Sequence, residues 1–436
     1  MKKLLMLAAL IAIAAVVVAC APATTNPPAA SSSSSVASSV APTAVPAKAV
    51  KLTIWCKEGG VDLDWVKATA KTFESKNPGV TVEVINKNVE DLRNDFQTAA
   101  LAGTGPDLLW TVNDHIGVFA TAKLIAAAED VMGKDYFSKF VKPGNDAALF
   151  QGKLWGVPIS AGNHLMLLYN KNLIKTAPQD TDEMIKMAKD FQTANPGKWG
   201  LVFNETEPFW VAPWIGGFGG WPLDDTKIPA VATLGTKANA DTMNFLASLR
   251  NTEKIIPLEA DYDGADGLFK DGKAAMIING DWSIGGYTTV TATKTIDLGV
   301  ARIPKVKATG NWPSPMTAGV YFLFPASTKG DKLDAAKAFV NYFVSKDVQI
   351  DFVKKLTRLP ALTDAGNDPV VTGSAILKGS FDQMSVGKPM PVVPEMRCAW
   401  DSWKPNYQEV LTAKQTGDQA AAKAQAAAVD CISKLK

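Results

Sequence analysis

The sequence predicts an α/β protein built as two lobes, followed by a helical tail. Three observations predict it. Short apolar runs alternate with amphipathic segments at the pitch of βαβ units. A Pro- and Gly-rich break, Gly310-Asn311-Trp312-Pro313-Ser314-Pro315, is followed by one more strand. From Asp331 onward almost every segment carries helical periodicity.

The elements follow in order. Lys51 to Cys56 is a short apolar strand, closed by Gly59-Gly60. Trp65, Val66, Ala70 and Phe73 recur at helical spacing, and Asn77-Pro78-Gly79 stops that helix. Val80, Val82 and Val84 alternate as a second strand; Leu92, Phe96, Ala99 and Ala100 mark a second helix. Gly103-Thr104-Gly105-Pro106 breaks it, and Asp107 to Val112 is a third strand. The pattern implies a mainly parallel sheet. It resumes with strands at Leu165 to Tyr169 and Gly200 to Phe203, around a helix over Met184 to Phe191. A helix carries Phe245, Leu246 and Leu249; Ala274 to Ile278 and Leu298 to Ile303 are strands. Gly319 to Phe324 is the strand after the Pro-rich break. The tail helices are Leu333 to Ser345, Val348 to Leu356, Met396 to Leu411 and Asp418 to Leu435.

The chain opens on an address. Met1-Lys2-Lys3 is a positive start, and Leu4 to Val18 is an apolar run of 15 residues. A spanning helix needs about 20, so the run is the core of an export signal. Val17-Val18-Ala19-Cys20 resembles the bacterial lipobox, in which the peptide is cut before a Cys that receives lipid; an ordinary cleavage site beside an incidental Cys is the alternative. Residues 1–19 are thus a signal peptide, and residues 20–48 a lipidated Cys20 with an Ala/Ser/Pro tether. Ala21 to Lys48 includes five consecutive Ser and cannot bury enough surface to fold. The expected location is the outer face of the cytoplasmic membrane, at the cell surface or in the periplasm.

Composition excludes several classes. Three of the 45 basic residues and none of the 43 acidic ones lie in residues 1–48, so the body is near neutral. It has no basic field for gripping phosphates, which argues against nucleic acid as partner. Two His make a His-based metal centre improbable, and no cofactor site is visible. There is no Gly-x-Ser-x-Gly elbow and no P-loop, so the chain is read as not an enzyme. Beyond Cys20 three Cys remain. Cys56 reads as a small buried hydrophobe. Cys398 and Cys431, in neighbouring helical stretches of an exported chain, are expected to form a disulfide. A monomer is the default state. Twelve Trp against seven Tyr is a surplus that needs a reason.

In open α/β sheets, ligands bind at the carboxyl ends of the strands. Two lobes joined by several crossings would set those ends face to face across a cleft, a geometry suited to hinge closure.

At this point particular segments become informative. Lys51-Leu52-Thr53-Ile54-Trp55, Gly105-Pro106-Asp107-Leu108-Leu109-Trp110 with Asn113-Asp114, and Gly152 to Ile159 followed by Leu168-Tyr169-Asn170-Lys171 are three of them. Glu207-Pro208-Phe209-Trp210, Ile278-Asn279-Gly280-Asp281-Trp282, and Met390-Pro391 with Pro394-Glu395-Met396 and Trp400 complete the set. In collinear order they resemble the extracellular solute-binding proteins of ATP-binding-cassette sugar importers, and among these the maltodextrin binders. The resemblance implies a two-lobed periplasmic-binding-protein-like fold of type II. Its N-lobe would be residues 49–161 and 313–368, its C-lobe residues 162–312 and 369–436. It also implies capture of an oligosaccharide, with maltose or maltodextrin leading, by hinge closure and delivery to the permease's transmembrane subunits. A binder of another solute, a surface sugar sensor, and a glycosidase using Glu207 with Asp114 are the alternatives.

Sugar rings offer apolar C–H faces and a rim of hydroxyls, met by aromatic rings and by fixed polar groups. On that chemistry Trp282, Trp400 and Phe209 are expected to stack, and Asp114 and Glu207 to accept hydroxyls. Glu58, in a first loop that aligns only loosely, is a further acceptor. Met390 would fill the apolar floor. Trp403 and Tyr407 share the face of Trp400 and read as core. The departures are informative. Thr111 stands where the maltodextrin binders carry a Trp platform, and His115 where they carry Arg, with a charge expected to depend on pH near 6.5. Asn163 replaces a Glu near the hinge, Asp401 an aromatic, and Lys404 an Arg.

Overall fold

The computed structural model describes residues 49–289 and 296–435. The export signal, Cys20 and the tether lie outside the described residues.

The chain first lays down β1 (Val50–Cys56), α1 (Gly60–Lys76), β2 (Val80–Asn86), α2 (Val89–Leu101), β3 (Leu108–Val112), α3 (Asp114–Thr121) and β4 (Val157–Gly162). Local chemistry sets these limits. Leu52, Ile54 and Cys56 alternate inward along β1 and are fully buried. Gly79 turns the chain between α1 and β2 at φ 94°, a left-handed conformation that favours glycine. Asn88 caps α2 by accepting from the Glu90 amide at 2.9 Å.

It then crosses to a second sheet through β5 (Leu165–Asn170), α4 (Thr181–Ala194), β6 (Trp199–Phe203), α5 (Lys237–Asn251), β7 (Ala274–Gly280), α6 (Ile284–Thr288) and β8 (Leu298–Ala301). The long β9 (Met316–Pro325) returns to the first sheet, followed by α7 (Gly330–Phe343) and α8 (Lys346–Leu356). The final helices are α9 (Ala375–Met384), α10 (Glu395–Leu411) and α11 (Gly417–Ser433).

The sheets are mixed, which corrects the mainly parallel arrangement expected from the βαβ rhythm. In the first, β1 pairs parallel with β2 and β3, but β9 pairs antiparallel with both β3 and β4. In the second, β7 is parallel to β6, while β5 runs antiparallel to β7 and β8. The reason is topological: β9 enters from the other lobe and lies beside strands that the chain built earlier in the opposite sense. The interlobe passage lies within this strand. Met316 and Ala318 pack in the C-lobe core, whereas Val320, Phe322 and Phe324 pack in the N-lobe.

The tail helices pack into two separate cores. Phe339 and Phe343 of α7 and Phe352 of α8 meet Trp65, Phe73 and Trp110 in the N-lobe core. Alanines 420, 421, 424 and 428 of α11 pack into the C-lobe core with Trp403 and Tyr407 of α10. Small side chains on α11 allow that close approach. Cys398 of α10 and Cys431 of α11 are joined in a disulfide, and Cys56 is free and buried.

Candidate functional site

Two walls face each other where the strands of the two sheets end. On the C-lobe side, the chain leaving β6 reaches a short turn, Pro208–Trp210, with Glu207 at its start. Pro208 suits that first position because its missing N–H would have no partner there. The chain leaving β7 turns at Asp281–Ser283 and presents Trp282. The third contribution is Trp400 on α10.

These rings form one aromatic cluster. Phe209 lies 6.2 Å from Trp282 and 6.5 Å from Trp400, centroid to centroid. Trp210 stands edge-on to Trp282 at 6.1 Å. Phe209, Trp282 and Trp400 are half-buried. Behind them the support is fixed. The Trp210 indole N–H donates to the Ile278 carbonyl at 2.9 Å, and that of Trp282 to the Tyr262 hydroxyl at 3.1 Å. Trp403 stacks under Trp400 at 6.0 Å with the planes 5° apart, and is fully buried. At the cluster's edge Lys404 ion-pairs with Glu207.

The N-lobe wall is polar. Asp114 opens α3, half-buried, and among the described residues nothing hydrogen-bonds its buried Oδ1. Such an oxygen is an acceptor without a partner. Arg93 reaches to 4.0 Å from Asp401 on the other wall.

The structure places the remaining expected residues differently. Thr111 and His115 are both buried, and the threonine hydroxyl lies 2.8 Å from His115 Nδ1. They brace the turn that carries Asp114. Burial pushes the His115 imidazole down to about 4, helped by Arg93 and Lys57 against the opposing pull of Asp114. Its charge therefore does not change near pH 6.5, which corrects the expectation for an ordinary imidazole. Met390 is 4% exposed; its amide donates to the Thr317 carbonyl and its own carbonyl accepts from Asn113 Nδ2 at 3.3 Å. It packs under the cleft and fixes the loop before α10. Asn163, at φ 52°, sits at the first interlobe passage between β4 and β5.

Glu58, expected as a hydroxyl acceptor, is held inside an ion cluster. It accepts from Trp110 Nε1 and Arg358 Nη1, both at 3.1 Å, and lies 3.3 Å from Lys57 Nζ. Burial raises its carboxyl, but Lys57 and Arg358 outweigh that and hold it at about 2. Arg358 also binds Asp62 at 2.9 Å. Burial, opposed by Arg358 and reinforced by Glu58, leaves Asp62 pushed up to about 7. Sequence reasoning did not single out Arg358 or Tyr262, which stand far from the motifs in sequence. Trp210 ends the Glu207-Pro208-Phe209-Trp210 segment and Lys57 directly precedes Glu58, and that adjacency is the signal the sequence offers for them.

The arrangement can clamp a flat, hydroxyl-rich molecule between an aromatic wall and a polar one. Among the described residues no group of His, Cys, Asp or Glu is arranged to hold a metal. The profile of the family described as bacterial extracellular solute-binding protein matches residues 68–379. The maltotriose-binding protein of Pyrococcus abyssi is 27% identical over 365 residues, covering 83% of this chain and 77% of that one. The galactooligosaccharide-binding protein of Bacillus subtilis is 26% identical over 388 residues, covering 86% and 87%. Among solved structures, the maltose/maltodextrin-binding domain MalE from Bdellovibrio bacteriovorus bound to maltotriose superposes with TM-score 0.83 at 39% identity. That match covers 88% of this chain and 100% of the other.

Proposed function

The chain belongs to the family of bacterial extracellular solute-binding proteins, and we propose that it captures a maltooligosaccharide of maltotriose size or longer. One observation carries this reading: the partly exposed cluster of Phe209, Trp282 and Trp400, in a protein whose buried Asp114 Oδ1 accepts from none of the described residues. Glucan rings stack on the first, and their hydroxyls donate to the second. Similarity at 39% identity to a domain holding maltotriose supports the choice of sugar.

The mechanism is population shift. A sugar that contacts both walls binds the closed form better, and so favours it by the difference in affinity. The closed protein then delivers its cargo to a membrane importer of the ATP-binding-cassette class. Cys20 would hold it by lipid at the outer face of the cytoplasmic membrane. Retention of the sugar intact, as a monomeric binder and not an enzyme, completes the reading.

Similarity to a galactooligosaccharide binder favours a second ligand, a galactooligosaccharide. Calorimetric titration of the chain from residue 49 separates them. Maltose, maltotriose and maltoheptaose would be run beside galactooligosaccharides and cellobiose. Micromolar or tighter binding of the α-glucans alone is expected. Binding of galactooligosaccharides alone replaces the ligand and keeps the mechanism; release of reducing sugar during the run overturns the binder reading.

A further inference from the structure

The two lobes meet at a buried charge cluster that lies beneath the cleft. Arg358 follows α8 in the N-lobe and is 1% exposed. Its Nη1 donates to Glu58 and Asp62, both N-lobe residues. Its Nε faces the C-lobe and stands 3.4 Å from Asp281 Oδ2. Asp281 is fully buried, and among the described residues no donor hydrogen-bonds its carboxylate. The charge of Asp281 is therefore answered by an arginine from the opposite lobe. A buried ion needs such a partner, because the interior solvates it poorly.

The position of Asp281 gives this pair its meaning. The next residue is Trp282, whose ring lies in the aromatic wall. A second route reaches the same ring: Arg358 binds Glu58, Glu58 holds Lys57, and Lys57 Nζ stands 5.7 Å from the Trp282 centroid. One N-lobe arginine thus fixes the turn carrying the ring and also the cation above it. The fit is tight. A Cβ added at Gly162, at the interlobe passage, would lie 2.8 Å from Asp281 Oδ2.

We propose that Arg358 is the positioning residue of the cleft, an interlobe tie whose pairing with Asp281 couples lobe closure to the placement of Trp282. This deepens the sugar-capture reading and rests on it for the ligand. Arginine suits the task because its planar fork reaches several carboxylates in fixed directions, where lysine offers a single point charge.

The test compares two neighbours of the same arginine. Asp281→Asn removes the interlobe pair while keeping the side chain's shape. Asp62→Asn removes a pair within the N-lobe. Both are made in the exported chain carrying Cys20→Ala. Solution scattering reads lobe closure without ligand, and calorimetry reads maltotriose affinity. Asp281→Asn is expected to enlarge the unliganded radius of gyration and weaken maltotriose by about tenfold, or about 1.4 kcal/mol. Asp62→Asn should leave the radius of gyration at the parental value and the maltotriose affinity within about threefold of it. An unchanged closure in Asp281→Asn, or equal effects of the two variants, overturns the proposal. Should Asp281→Asn not fold, Arg358→Lys is measured in its place; it must also open the unliganded protein, and parental closure overturns the proposal. If the parent binds no maltooligosaccharide, the sugar reading fails, while the scattering comparison still decides the role of Arg358.

Discussion

Lys57 of one lobe stands over the ring of Trp282 in the other, its Nζ 5.7 Å from the centroid. The same ammonium lies 3.3 Å from Glu58, so the cation is held from its own lobe while it touches the opposite wall. Cation–aromatic contacts of this kind contribute about 0.5–2 kcal/mol, more when water is excluded. Lys57→Met keeps the stem and removes the charge. Calorimetry with maltotriose should show affinity falling about three- to tenfold, with little change in melting temperature. Unchanged affinity would remove Lys57 from the cleft.

The aromatic wall divides into faces and support. Trp282 is half-buried; Trp403 is fully buried behind Trp400. Trp282→Ala should weaken maltotriose by about ten- to hundredfold, since a large stacking surface leaves a site that depends on it. It should cost little stability. Trp403→Ala should do the reverse and cost about 3–5 kcal/mol through the cavity it leaves. Urea melts beside titrations separate the two, and identical profiles would contradict this division.

His115 gives a sign for pH dependence. Its folded-state affinity for protons is depressed to about 4, against about 6.5 when unfolded. Between those values the unfolded chain binds more protons, so this residue's contribution to stability is present above about 6.5. It is lost as pH falls toward 4. Comparison with His115→Asn isolates the effect from the carboxyls. The stability gap between parent and variant should narrow on acidification, by at most about 1.4 kcal/mol per pH unit. A gap that stays constant from pH 7 to 4 would show His115 to titrate normally.

The Cys398–Cys431 bridge closes a loop with a sequence separation of 33. On the loop-entropy account it stabilises by about 3–4 kcal/mol. The unreduced, denatured chain from residue 49 should titrate one thiol, from the free Cys56; reduction should bring the number to three. Replacing Cys398 and Cys431 with Ser should lower the urea midpoint and leave maltotriose affinity unchanged. Three thiols before reduction would dissolve the bridge.

Much of the architecture was legible because its causes are local. The alternation of Leu52, Ile54 and Cys56 marks a strand wherever it occurs, and Asn77-Pro78-Gly79 ends a helix by its own geometry. Local pattern says nothing about direction. β9 reads as a strand from its composition, but its antiparallel setting against β3 and β4 depends on the lobe from which it arrives. The motifs that resemble sugar binders named Phe209, Trp282 and Trp400, three rings that the fold gathers into one cluster, with Glu207 paired to Lys404 at its edge.

By itself the sequence indicated most of the elements, their order and the aromatic and acidic residues offered at strand ends. Tertiary structure alone decided which of those groups are open and which are spent. Glu58 looks like a free loop carboxylate until Arg358, 300 residues away, is folded against it. Thr111 and His115 look like ligand contacts until burial turns them toward each other. The physical reason is common to both cases. Whether a polar side chain binds solvent, ligand or its own protein depends on which partners the fold brings within about 3 Å, and that distance is set by packing and not by position in the chain.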